Sequence, residues 1–322
     1  MDIIEVADPG DDQIDAWHAL VSAAHVHDHP GDPEPDAAQT VGWLLGGPRR
    51  RLWAVPAADG LAAVASLRLP GGFAPARPGE IDIHVHPARR RHGLGARLLA
   101  LAAQGLREDG RTSAIAQAVA GTPAVPFLEA NGFECVLTMR GMLLRNADVS
   151  AARLIALSSG PAGYRLIRWT GTVPDELAPA LAQAKRAMAD NPEGKSAWDA
   201  DSVREMAEAV AKRGDDLYTV AALHGEVLVG FTEIVVPGGG GPRAAQYDTA
   251  VLPEHRGRRI GIWLKASMLG WIQSERPEVE EIETDNADDN AHMLAVNEEL
   301  GFEPQREYRE YQAAVRDLPS PT

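Results

Sequence analysis

The chain has 322 residues, with 46 acidic against 31 basic side chains and a formal net charge of −15. That balance argues against a general nucleic-acid surface or an anionic membrane as partner, while 45% hydrophobic and 24% charged residues describe an ordinary globular protein. No apolar run reaches the ~20 residues of a membrane span, Met1-Asp2 opens no signal peptide, and the single Cys135 forbids an intrachain disulfide, so a cytoplasmic protein is expected.

In chain order, Ile3 to Val6 reads as a strand leading into a helical stretch. A Pro- and Asp-bearing loop follows from Asp28 to Pro35. His25, His27 and His29 surround its start, but alternate histidines in such a loop lack a fixed geometry and no second ligand group accompanies them. No metal is expected, and the loop reads as a turn that could line a pocket. A second helix, two strands joined by a short turn and a loop at Pro70-Gly71-Gly72 come next. The run Ile81 to Val85 then enters Val85-His86-Pro87-Ala88-Arg89-Arg90-Arg91-His92-Gly93-Leu94-Gly95. Leu98, Leu99, Ala102, Ala103 and Leu106 follow on one helical face. Strand, basic glycine loop and helix N-terminus together aim free N–H groups and the positive end of a dipole at one point, which suits a pyrophosphate. Gly93 and Gly95 are expected to allow close approach of the backbone, with Arg90 and Arg91 adding charge.

The loop recurs 166 residues later as Val251-Leu252-Pro253-Glu254-His255-Arg256-Gly257-Arg258-Arg259-Ile260-Gly261, followed by Leu264, Met268, Trp271 and Ile272 on one helical face. Its flanks recur too. Leu52-Trp53-Ala54-Val55 matches Leu217-Tyr218-Thr219-Val220, Asp28-His29-Pro30 matches Asp190-Asn191-Pro192, and Gly132-Phe133-Glu134 matches Gly301-Phe302-Glu303. Two copies of one domain are expected, over 1–147 and 148–322, because Asn, Asp, Ser, Gly and Pro accumulate between Arg145 and Gly160. In the second copy a strand over Tyr164 to Trp169 precedes a helix expected to be capped by Thr172. After the loop at Asp190 to Lys195 and a second helix come two strands, Leu217 to Leu223 and Val227 to Val236. Gly238 to Gly241 reads as a mobile loop. Past the second glycine loop lie a strand from Glu280 to Thr284 and a helix from Asn290 to Leu300.

The pattern Val-x-Pro-x-x-Arg-x-x-Gly-x-Gly before a helix resembles the acyl-CoA pyrophosphate loop of the GNAT acetyltransferase superfamily. Asn290-x-x-Met293 through Leu300-Gly301-Phe302 is similar to its second signature, and two such domains in one chain resemble the tandem arrangement of mycothiol synthase and its relatives. The resemblance implies an α/β (α+β) chain of two tandem domains, each a mixed, mostly antiparallel sheet flanked by helices and splayed to admit acetyl-CoA. It implies that the pyrophosphate meets Arg90, Arg91, His92, Gly93, Leu94 and Gly95, or Arg256, Gly257, Arg258, Arg259, Ile260 and Gly261. Val85 or Val251 would hold the pantetheine arm, and Asn290 is the signature asparagine. Two departures stand out. Arg259 occupies the place of Gly93, and the tyrosine acid common in the family is replaced by Leu128 in the first copy and Asn297 in the second.

The chemistry is therefore expected in the second copy, with the first the poorer catalyst. Asp248, three residues before Val251 and equivalent to Asp82, is a candidate base, and a structural hydrogen bond fits it equally well. Glu233 is a second candidate, although strand alternation also allows it to face solvent. Tyr308 could serve as the acid, as could Tyr311, with core packing the competing role. Trp17, Trp43, Trp53, Trp169, Trp198, Trp263 and Trp271 read as packing residues. The function implied is transfer of acetyl from acetyl-CoA to a primary amine of a small molecule. The alternative is a non-catalytic acyl-CoA-binding or sensor protein. Reading Gly93-Leu94-Gly95 as a dinucleotide fingerprint fails for want of a third glycine. A monomer built as an internal pseudo-dimer, or a weak homodimer, is expected.

Overall fold

The computed structural model describes all residues except 1, 33, 36, 46–48, 71–77, 189–197 and 322. In chain order the elements are β1 (Ile4–Val6), α1 (Asp11–Asp28), α2 (Ala37–Leu45), β2 (Arg50–Ala57), β3 (Gly60–Arg68), β4 (Gly79–Val85), α3 (Leu94–Glu108), β5 (Ser113–Val119), α4 (Ala124–Ala130) and β6 (Glu134–Arg145). There follow α5 (Ala151–Leu157), β7 (Tyr164–Thr170), α6 (Ala178–Arg186), α7 (Ala200–Lys212), β8 (Asp216–His224), β9 (Val227–Val236), β10 (Arg243–Val251), α8 (Ile260–Glu275), β11 (Glu281–Ala287), α9 (Ala291–Leu300) and β12 (Glu303–Ala314).

These elements form two compact units that are not cut at residue 147. Unit 1 comprises Met1–Thr138 with Glu307–Thr322, and unit 2 comprises Met139–Arg306. The sheet of unit 1 runs β1-β2-β3-β4-β5-β12, and that of unit 2 runs β7-β8-β9-β10-β11-β6. Each copy thus gives its last strand to the other's sheet: β12 pairs antiparallel with β5, from Tyr308↔Val119 to Ala314↔Ser113, and β6 pairs antiparallel with β11. Proximity in sequence places Glu303–Ala314 with the second copy, and only the pairing reveals the exchange. The Asn-, Ser- and Gly-rich stretch taken as a linker instead holds a 3₁₀ turn, Asn146–Asp148, and α5, which packs on α8 of unit 2.

Within each unit one strand pair is parallel, β4 with β5 and β10 with β11, and the others are antiparallel. Both sheets are buried on two faces. In unit 1, Leu98, Leu99, Ala102, Ala103 and Leu106 of α3 are fully buried against Leu67 and Ile81 on one face. On the other, Ile14, Trp17 and Leu20 of α1 cover Leu52, Ala54 and Val64. In unit 2, α8 buries Leu264, Met268 and Ile272, while α6 packs Leu181 and Ala182 against Phe231 and Ala250. Trp17, Trp53 and Trp263 are buried, Trp169, Trp198 and Trp271 pack partly buried, and the Trp43 side chain lies outside the described part.

Two local expectations are corrected. Thr172 caps no helix, because α6 begins at Ala178. Pro179 brings no N–H and so belongs in a first turn, and residues 174–177 form a separate turn through Leu177 N–H to the Pro174 carbonyl. Gly238 is not in a free loop: a Cβ there would meet the Gly214 carbonyl, so the turn is packed backbone to backbone. The Gly71-Gly72 part of the matching loop and the stretch from Asp190 to Lys195 lie outside the described residues. Among the described residues no helix is long and apolar enough to cross a membrane.

Candidate functional site

Both sheets open at the same place. β4 touches β5 only at Gly79↔Ala114 and Glu80↔Ile115, and β10 touches β11 only from Arg243↔Glu281 to Ala245↔Glu283. Beyond those pairs Ile81 to Val85 and Gln246 to Val251 diverge from their parallel neighbours, and a register shift between Gln246 and Thr249 sharpens the second opening. The strand edges left there can pair with an extended ligand. Each opening ends at a glycine loop. Among the described residues, the backbone N–H groups of 91–96 and of 257–262 donate to no backbone carbonyl, so each loop offers a cluster of free donors at a helix N-terminus.

The two loops share one backbone path reached by opposite residues. Arg91 (φ 66) and Gly93 (φ 77) are left-handed in unit 1, and Gly257 (φ 74) and Arg259 (φ 61) are left-handed at the equivalent places in unit 2. Gly93 supplies the left-handed turn, and a Cβ there would meet no protein atom within 4 Å. Gly95 does the opposite. A Cβ would come within 3.2 Å of the Phe127 ring, so its smallness lets α3 lie against α4.

The arginines expected to meet phosphate are partly spent inside the protein. Arg90 donates from Nε to the Val85 carbonyl and makes a bidentate pair with Asp28 at 2.6 and 2.7 Å. Arg256 repeats the first contact, Nε to the Val251 carbonyl, and reaches the Ala187 carbonyl with its other end. Both arginines buttress the strand end, which is why the spacing after the proline recurs. Arg259 pairs with Glu299 at 2.6 Å, which raises its pKa. Arg91, His92 and Arg258 are exposed, and His92 folds back onto the Arg90 carbonyl. Leu94 and Ile260 send their side chains into the cores, leaving only their N–H groups for a ligand. Asn290 caps α9, its side chain accepting from Met293 N–H.

Asp248 and Glu233 do come together, through a residue that sequence reasoning missed. Lys185 of α6 donates from Nζ to Glu233 Oε2 and to Asp248 Oδ2, each at 2.6 Å. The Lys185 and Glu233 side chains are fully buried, whereas that of Asp248 is 32% exposed and is the member within reach of a ligand. Glu233 is not on a solvated face because helices cover both faces of β9, with α8 on one side and α6 on the other. Lys185 also lies 4.9 Å from the Trp198 ring centre and 5.0 Å from that of Phe231. Burial pushes the Glu233 carboxyl up, Lys185 pulls it down and Asp248 pushes it up again, for a pKa of about 7. A detectable signal existed: Lys185 falls four residues after Leu181, on the apolar stripe of α6, where a charge demands a partner.

A second buried lysine stands behind the opening. Lys265 of α8 donates to Asn297 Oδ1 at 2.6 Å, and burial lowers its pKa to about 7. At the equivalent positions unit 1 has Leu99 and Leu128, both in its core. Tyr308 lies in unit 1, where it pairs with Val119. Tyr311 is fully buried there and donates to Glu129. The strand exchange puts Tyr308 in the sheet of unit 1, whereas sequence order put it with the second copy. His25 and His27 lie in the last turn of α1, and among the described residues no three metal-ligating side chains gather.

Comparison with known proteins agrees with this geometry. The acetyltransferase (GNAT) family model matches twice, over residues 14–133 and 183–302. A tandem GNAT protein from the clavulanic acid biosynthesis pathway, solved without AcCoA, is 28% identical, with 98% of each chain covered and a TM-score of 0.83. A GCN5-related N-acetyltransferase from Sphaerobacter thermophilus has the same fold at 18% identity, covering 99% of this chain and 96% of that one with a TM-score of 0.72. A glucosamine N-acetyltransferase region of a fungal multi-domain β-N-acetylglucosaminidase shares the fold at 14% identity, with 97% of this chain and 38% of that one covered and a TM-score of 0.67. No curated protein matches the chain in sequence.

Proposed function

The chain belongs to the acetyltransferase (GNAT) family, and from that premise we propose that it moves an acetyl group from acetyl-CoA to a primary amine of a small molecule, in unit 2. The observation that carries the reading is the Lys185–Glu233–Asp248 cluster beside the open edge of β10. The free N–H groups of 257–262 fit a pyrophosphate, and the edge from Gln246 to Val251 fits an extended pantetheine arm. Acetyl-CoA supplies the acyl group as an activated thioester. The amine must lose a proton to attack, and Asp248 is the exposed member that receives it, directly or through water. Behind it, Glu233 with a pKa near 7 and Lys185 let the cluster exchange one proton at neutral pH as a unit.

The acidic balance of the chain favours a cationic acceptor. The same proposal has the protein working in the cytoplasm, as a monomer built as an internal pseudo-dimer or as a weak homodimer, and size-exclusion with light scattering decides between those two states. Mass spectrometry of an amine panel with acetyl-CoA and the intact chain tests the reaction; acetylation of none of them counts against it. A second reading, acyl-CoA binding without turnover, is favoured by one observation. Leu128 is core, and Asn297 is held by Lys265, where the resemblance calls for a tyrosine acid. Calorimetry showing tight acetyl-CoA binding, no turnover and no change in Asp248→Asn would decide for it.

A further inference from the structure

The short 3₁₀ turn that leads into each glycine loop is tied to the hairpin at the same end of its sheet, and the two units make the tie with different chemistry. In unit 1 the turn is Pro87–Arg89, and Arg89 pairs at 3.6 Å with Asp59 in the turn between β2 and β3. The repeat aligns Arg89 with His255 and, because Gly60 matches Gly225, Asp59 with His224. In unit 2 the turn is Pro253–His255, and a third ring joins the tie. Tyr164 opens β7 with its ring centre 4.7 Å from that of His224 and 5.7 Å from that of His255, and the two imidazoles are 5.6 Å apart. The Tyr164 hydroxyl lies 2.9 Å from His255 Nδ1 and donates to the lone pair that the Nε2–H tautomer leaves there. In unit 1, β1 stops short of this place, pairing with β2 no further toward the hairpin than Ile4↔Ala54.

We propose that Tyr164 and His224 are positioning residues for the diphosphate loop of unit 2, acting through His255, and that this tie loosens as the two histidines take up protons. The inference rests on the reading of unit 2 as an acyl-CoA site. Imidazole is the side chain whose charge ordinarily changes between about pH 5 and 8, whereas a guanidinium facing a carboxylate keeps both charges across that range. A proton on His255 fills the Nδ1 lone pair, and the Tyr164 hydroxyl must turn from donor to acceptor. A proton on His224 as well sets two like charges 5.6 Å apart. Among the described residues neither imidazole pairs with a carboxylate: beside His224, Glu226 pairs with Arg165 at 3.5 Å, and Glu254, next to His255, is exposed. Arg256 turns to the Val251 and Ala187 carbonyls. The repulsion is uncompensated, and it falls on a turn that ends at His255, just before the free N–H groups that begin at Gly257. Unit 2 thus loosens its hold on a diphosphate as the pH falls, and the fixed charges of Arg89 and Asp59 spare unit 1 that effect.

The test uses the full chain with coenzyme A as the probe, at about pH 7.5 and about pH 5.5. Isotope-labelled glycine reads each unit separately, through the Gly261 and Gly95 signals assigned by Gly261→Ala and Gly95→Ala. On acidification the dissociation constant read at Gly261 is expected to rise about three- to tenfold more than that read at Gly95, and by less at about 1 M salt, which screens the exposed His224. The Arg256 amide, which donates to the Pro253 carbonyl, should lose protection from hydrogen exchange over the same range, after correction for its intrinsic rate. Writing the pair of unit 1 into unit 2, as His224→Asp with His255→Arg, should abolish both effects. His224→Gln alone, at an exposed site, should remove most of the excess. Equal pH dependence at the two glycines overturns the proposal, as does unchanged protection of Arg256 or an excess at Gly261 that survives both variants. Each of those results leaves unit 2 an acyl-CoA site, because its signal has answered to the ligand. A Gly261 signal that coenzyme A moves at neither pH sinks the reading of unit 2, and this proposal with it.

Discussion

The two units share a strand order, an opening and a loop path, yet they spend their polar residues in opposite ways. Unit 1 has leucines at 99 and 128 and a partly exposed Asp82–His84 pair. Unit 2 has Lys265 and Asn297 at those leucines' places, and its Asp248 is tied through Lys185 to a buried network. The retained element is the aspartate on the open strand. What differs is how far its surroundings are desolvated. Burial would push the Asp82 carboxyl up, but His84 outweighs it and holds the carboxyl low. Burial of Glu233 prevails over Lys185, and its carboxyl rises to about 7. One frame thus holds its strand aspartate against an imidazole in one copy and against a buried lysine in the other.

The strongest way to break this comparison is to neutralise the buried carboxylate behind the proton acceptor of unit 2. Glu233→Gln is expected to lower kcat/KM for the amine used by unit 2 by about 10² to 10⁴-fold, read from initial rates. In the unaltered protein that rate should climb as pH rises through about 7, where Glu233 loses its proton. Stability should move the other way. A carboxyl whose pKa rises from 4.5 to about 7 on folding favours the folded state fully below about 4.5, and this contribution is lost as pH climbs through 7. Denaturation midpoints between pH 5 and 8 should show the decline, and Glu233→Gln should flatten it. Next in size is Lys185→Met, which strands two carboxylates beside each other and should cost about 3 kcal/mol in urea unfolding at neutral pH.

Much of the frame was legible because periodicity and duplication reinforce each other. Leu98, Leu99, Ala102, Ala103 and Leu106 announced α3, and the recurrence of Val-x-Pro-x-x-Arg placed both loops. Asp248 and Glu233 were visible as carboxylates in strands, but their union was not, since Lys185 lies 48 and 63 residues away and only tertiary packing brings it in. The inward hydrogen bonds of Arg90 and Arg256 to the strand ends were not legible, because charge alone says nothing of them. Tyr308 went to the wrong copy because strand exchange leaves no periodic trace. The likeness to mycothiol synthase rested only on two domains in one chain, a property of tandem proteins at large.

Smaller effects sharpen the loop comparison. Gly93→Ala forces a side chain into φ 77 and should cost about 1 kcal/mol. Arg259→Gly relieves the same conformation at φ 61, giving up only an exposed pair with Glu299, and should be neutral or slightly stabilising. Opposite signs at equivalent positions would confirm that both loops demand one backbone path whatever residue occupies it.

The finest distinction is between the glycines that close the two loops. Gly261 is the second residue of α8, with nothing within 4 Å of where a Cβ would sit, so Gly261→Ala should gain about 0.5 to 1 kcal/mol from helix propensity, read as a higher midpoint of thermal unfolding. Gly95 holds the equivalent place in α3, but there the Cβ would lie 3.2 Å from Phe127 Cε2 and 3.4 Å from its Cζ. The ring is partly buried against the core of unit 1 and must turn or shift to admit a methyl group, which offsets the same propensity gain. Gly95→Ala should therefore show no stabilisation, and Gly95→Ala with Phe127→Leu should recover part of it. Equal gains at both positions would mean that α4 does not rest on the start of α3, and that the glycine closing the first loop serves the turn alone.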